Sequence, residues 1–158
     1  MDPTELRKRE DMTLLIAKVI AFAFAAVVFV YPLVVVALVG EQYLGPGLHG
    51  VSRTFAYLVM GAALLLLVVA PRAGRIPMDM ARKKIHENFN PGALLSAWLL
   101  SIIVAFALRD LAATLGLVLS LITRNLFWCV LLGFLALISM GRNWPTRERM
   151  EEFLRRAG

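Results

Sequence analysis

Charge is scarce in this chain, and so are the residues that carry most protein chemistry. Only 18% of its 158 residues are Asp, Glu, Lys or Arg, with one cysteine and two histidines, against about 25% charged residues in an ordinary soluble domain. A single cysteine, Cys129, excludes an intrachain disulfide, a CxxC redox pair and a cysteine metal site. His49 and His86 fall in the segments between apolar runs, on opposite sides of the expected bundle, which excludes a bis-histidine haem held between helices of one chain. No histidine stands within an apolar run to act as base for Ser96, Ser101 or Ser120, and no GxSxG, P-loop, HExxH or acidic metal cluster occurs. These absences point to a non-enzymatic protein without a cofactor or metal. The net charge of +6 does not reverse that reading, because the basic residues lie between apolar runs rather than in a basic, aromatic-studded domain. No nucleic-acid partner is expected.

What the chain has in excess is apolar residues, 59% of the total, with a mean hydropathy of +0.73. Four runs carry them. Residues 13–40 are apolar except for Lys18, 53–70 after Arg53, 93–123 except for Arg109 and Asp110, and 125–141 after Asn125. Runs of about 20 apolar residues are what an α-helix needs to cross a bilayer. The pattern predicts an all-α, polytopic membrane protein, one domain over 1–158, with four transmembrane helices arranged as two helical hairpins. The first run is too long for the 7–15-residue core of a cleaved signal peptide. Its Pro32 predicts a kink, since proline removes a backbone hydrogen bond and crowds the preceding turn.

The breaks are written in glycine, proline and asparagine. Gly45-Pro46-Gly47 marks the first connection, Pro71, Gly74 and Pro77 end the second helix, Asn90-Pro91-Gly92 precedes the third, and Thr123-Arg124-Asn125 makes a tight hairpin. Lysines and arginines divide unevenly between the two sides. Fourteen lie in residues 1–20, 71–92 and 142–158, and only Arg53 and Arg124 lie opposite. Positive charge is retained in the cytoplasm, so both termini and the central connection are expected there, in a bacterial inner membrane. Two amphipathic segments on that side, about 78–89 and 146–157, carry Arg82, Lys83, Lys84, Arg155 and Arg156. They are expected to lie on anionic inner-leaflet lipid or to dock a partner.

Arg109 and Asp110 break the pattern. A charge at bilayer depth costs on the order of 2.5–3.5 kcal/mol on insertion scales, which makes an ionisable pair inside a span a functional-site candidate. Adjacent helical residues point about 100° apart, so each is expected to find its partner on another helix or to reach water. Arg109 shares a stripe with Ala105, Ala112 and Gly116, whose small side chains allow close helix approach. Asp110 shares its stripe with Phe106, Ala113 and Thr114, one turn on, which can donate to the carboxylate. An alternative puts a helix break at Arg109 and Asp110, leaving Arg124 and Asn125 inside a longer last helix.

The segment Ala107-Leu108-Arg109-Asp110-Leu111-Ala112-Ala113-Thr114-Leu115-Gly116-Leu117-Val118 resembles the carboxylate helix of the c-type proteolipids of rotary ATPases. There an acidic residue within the membrane is followed by small residues and Gly-Leu-Val. The resemblance covers about a third of the chain and carries over only Asp110 and Gly116 to Val118. It implies an ion-carrying role for Asp110. An arginine directly before the carboxylate and the lack of a glycine-repeat helix depart from that family's pattern. Two functions are therefore expected to compete. The first is a self-associating or accessory subunit of a larger membrane complex. The second is a proteolipid-like subunit that handles protons or cations through Asp110.

Overall fold

The computed structural model describes residues 3–39, 52–85 and 91–157, and over them the chain is all-helical, without strands. Six helices follow in order: α1 (Pro3–Val39), α2 (Arg53–Ala73), α3 (Ile76–Ile85), α4 (Pro91–Thr123), α5 (Leu126–Arg142) and α6 (Arg147–Ala157). Arg7–Val39, Arg53–Met80 and Gly92–Thr123 are long and apolar enough to cross a membrane. A fourth crossing is added if α5 and α6, which meet at 58°, count as one bent span.

Where helix and apolar run differ, the cause is local. α1 begins at Pro3, ten residues before its apolar run, because a charged stretch can be helical without being apolar. Glu5 and Arg9, one turn apart, are a favourable helical pair by spacing. α2 continues through Pro71 to Ala73. Proline there forfeits only one backbone bond, and the Gly74 N–H donates to the Ala70 carbonyl at 3.0 Å to close the helix. α1 likewise runs on through Pro32 as one helix. The Gly40 boundary, the Gly45-Pro46-Gly47 connection and residues 86–90 lie outside the described residues.

α4 is the axis of the molecule. α5, α2 and α1 all pack along it, whereas α1 and α2 make little contact with each other. Where two helical hairpins were expected, α4 and α5 form a packed hairpin, α1 lies against both of its arms, and α2 lies mainly against α4. The α4–α5 turn is a compact device. Arg124 adopts a left-handed backbone (φ 51°), the Asn125 N–H donates to the Ser120 carbonyl at 3.0 Å, and the Asn125 side chain accepts from the Phe127 N–H at 3.0 Å. Asn125 is fully buried, so this capping bond satisfies a helix-end donor that water cannot reach. α4 is continuous across Arg109 and Asp110, and the alternative break there does not occur.

Contacts fix the levels of the helices. Gly74, past the end of α2, abuts Ala105 and the Ser101 carbonyl of α4, and Ala56 near the start of α2 packs with Leu119 and Trp128. α2 and α5 therefore run antiparallel to α4, while α1 runs parallel to it, with Phe24 beside Phe106 and Tyr31 beside Asp110. Arg72, Arg75, Arg142 and Arg147 gather at one end of the bundle, here the basic end.

α6 spends its apolar face internally. Met150 and Phe153 are buried in the same core as Leu14, Ala17, Leu94 and Trp98, with Leu154 partly buried beside them. The apolar face of this segment is thus taken up by the basic-end extensions of α1 and α4, which offer a near apolar surface. Arg147 bridges α6 to α1, 2.9 Å from Glu151 and 3.6 Å from Asp11. Large apolar side chains of α1, among them Leu15, Phe22, Phe29, Leu33 and Leu38, face outward.

Candidate functional site

Asp110 and Arg109 are neighbours in sequence and face different helices. The Asp110 carboxylate accepts a hydrogen bond from the Tyr31 hydroxyl of α1 at 2.9 Å. Thr114 Oγ1 lies 3.0 Å from the same tyrosine oxygen and donates to the Asp110 backbone carbonyl at 3.0 Å. Thr114 thus bonds the tyrosine and its own helix rather than the carboxylate. Three polar groups close on one another at the α1–α4 crossing, each supplying what the next lacks.

Arg109 has no comparable closure. Its Nε donates to Ser139 Oγ of α5 at 2.8 Å, and its guanidinium carbon stands 5.5 Å from the centre of the Phe106 ring. Both terminal nitrogens are buried without a hydrogen-bond partner, and the residue is 0% exposed. Each unsatisfied buried donor costs about 1–3 kcal/mol, more when charged. This is an expensive arrangement to keep. Ser139 stands one turn before the end of α5, and Arg109 lies near the middle of the long apolar helix Gly92–Thr123. The Ser101 level, where α2 ends, is about 12 Å away along α4 by helical rise.

The small residues on the Arg109 stripe each meet a different neighbour. Ala105 touches the backbone at Gly74, Ala112 packs with Ala63 and Leu132, and Gly116 faces α5. A Cβ on Gly116 would stand 2.8 Å from the Leu132 Cβ and 3.1 Å from the Trp128 carbonyl, so only glycine fits this approach. The hydroxyls beyond the polar pair are bound locally. Ser96, Ser101 and Thr123 donate to carbonyls of α4 itself, and Ser120 accepts from the Cys129 N–H at 2.6 Å. Cys129 is buried.

Of the basic segments, Arg155 is exposed on α6, while the side chains of Arg82, Lys83, Lys84 and Arg156 lie outside the described residues. Among the described residues no His, Cys, Asp and Glu gather as a metal site. Two partners were not foreseen. Tyr31 has no local signal, being 79 residues from Asp110. Ser139 does have one: it and Arg109 are equidistant from Arg124, so a tight hairpin turning there sets them opposite each other. No protein-family model, curated protein or solved structure matches this chain.

Proposed function

We propose that this chain is a non-enzymatic integral membrane protein, a self-associating or accessory subunit of a larger membrane complex. In this reading it has four spans, with α5 as the last, and lies in a bacterial inner membrane with the basic end and both termini in the cytoplasm. The division of Lys and Arg between the two ends supports the orientation. The observation that carries the subunit reading is the destination of the polar groups. Tyr31, Asp110 and Thr114 join α1 to α4, and Ser139 joins α5 to Arg109, so these side chains serve helix association. The outward apolar surface of α1 is left for lipid, a second copy or an unrelated subunit.

A second reading, the proteolipid-like ion carrier, draws on the same triad. A Thr114–Tyr31–Asp110 chain of hydroxyls ending on a carboxylate is a path along which a proton can be passed. Native mass spectrometry of the wild type and Asp110→Asn, extracted in mild detergent, separates the two. The subunit reading expects the variant to change the mass of the assembly. Unchanged assembly together with lost proton or cation flux in liposomes sinks it in favour of the carrier.

A further inference from the structure

A cavity of about 200 Å³ opens beside α4 at the basic end, between the Gly74 elbow that joins α2 to α3 and the Asn143–Pro145 elbow that joins α5 to α6. Arg109 lines it, and both of its terminal nitrogens are buried without an acceptor. Trp98, Phe106 and Trp144 form aromatic walls, and the exposed Arg75 and Arg149 stand at its margin. Among the described residues no carboxylate lines it: Asp110, beside Arg109, is turned toward Tyr31, and Asp79 and Glu148, beside the lining Met78 and Arg149, are exposed.

We propose that this cavity binds a phosphate ester, with the Arg109 fork holding two phosphate oxygens. With Nε occupied by Ser139, the two terminal nitrogens are the guanidinium's unused edge, matched to the paired oxygens of an oxyanion; they are fully buried in the cavity wall, so a ligand reaches them by a local shift of that wall. Three arginines and no acidic group favour a doubly charged phosphate monoester over a singly charged carboxylate. The space is larger than a lone ion needs, since a cavity of about 150 Å³ already holds a benzene ring. The aromatic walls suit the organic part that carries the phosphate. The monoester can come from the bilayer, as the headgroup of a phosphatidic acid, or from solution, as a small sugar or glycerol phosphate. The cavity does not depend on the subunit reading and stands or falls separately from it.

Trp98 and Trp144 report on the site directly. The full-length protein, delipidated in dodecyl maltoside and free of phosphate buffer, is titrated with dioleoyl phosphatidic acid, dioleoyl phosphatidylcholine and glycerol 3-phosphate while tryptophan emission is followed. A saturable change with phosphatidic acid and none with phosphatidylcholine assigns the lipid headgroup. Saturation by glycerol 3-phosphate as well assigns the soluble ester. No saturable response to either phosphate monoester, or an equal response to phosphatidylcholine, overturns the proposal. Arg109→Lys keeps the charge and loses the fork, and is expected to weaken binding about tenfold or more. If that variant loses its helical signal, the exposed pair Arg75→Gln and Arg149→Gln carries the test with an expected loss of about threefold or more. Wild-type affinity in whichever variant folds overturns the assignment.

Discussion

The two polar faces of α4 solve the same problem in opposite ways. Toward α1, a carboxylate is matched by a tyrosine hydroxyl, and a threonine completes the set. Toward α5 and α2, a guanidinium receives one serine and keeps two donors empty. A helix can bury charge either by bringing the acceptor with it or by leaving a place for one to arrive. The first solution strengthens the bundle as it stands, and the second leaves stability on hand for a ligand to supply. On the face with the unfinished arginine, small residues bring α4 tightly against α5 and the end of α2.

The largest effect is expected where the close face has no slack. Gly116→Leu should force α4 from α5 and cost about 1–3 kcal/mol or more, seen as a lower midpoint when helicity is followed through detergent denaturation. Retention of the wild-type midpoint would show that the two helices can separate freely, and the contrast between the faces would lose its geometric basis. Tyr31→Phe removes the matched donor of the other face and should cost about 0.6–1.7 kcal/mol, the range of interhelical hydrogen bonds in membranes. A comparable loss in Thr114→Val, with a less-than-additive double variant, would mark the triad as one unit.

Arg109→Met sharpens the comparison most directly. If the guanidinium is unfinished rather than structural, its replacement by an apolar side chain in lipid-free, phosphate-free detergent should leave stability unchanged or raise it by about 1 kcal/mol. A loss as large as that of Tyr31→Phe would place both faces in the same class. Smallest of all should be Arg147→Gln, whose exposed pairing with Glu151 and Asp11 is screened by water. Its melting curve should overlay that of the wild type.

Much of the frame can be read from the chain because it rests on local chemistry. Thr123-Arg124-Asn125 interrupts an apolar stretch with three polar residues, one of them a good N-cap, and the turn falls there. Residues 3–12 escape a reading by hydropathy because they are helical and charged at once. Pro71 is a poor stop signal this close to the natural end of a helix. At the candidate site, the need for partners on other helices follows from the angle between adjacent side chains, but their identities do not. Ser139 can be reached by arithmetic from the hairpin, whereas Tyr31 depends on how α1 is set against α4, and nothing near either residue encodes that register. The buried face of α6 is hidden for the same reason. Its amphipathicity shows that Met150 and Phe153 seek an apolar surface, and only the assembled bundle shows which one.

The parallel alignment of α1 and α4 also has a meaning in time. α1 is made before α4, and the helix it packs along is encoded far downstream, so the tyrosine must wait for an aspartate 79 residues later. At 5–20 residues per second, that interval is roughly 4–16 s of synthesis. Throughout it, α1 lacks the helix that matches its tyrosine, since α2, made meanwhile, makes little contact with it, which makes those seconds the period in which a helper would have most to do.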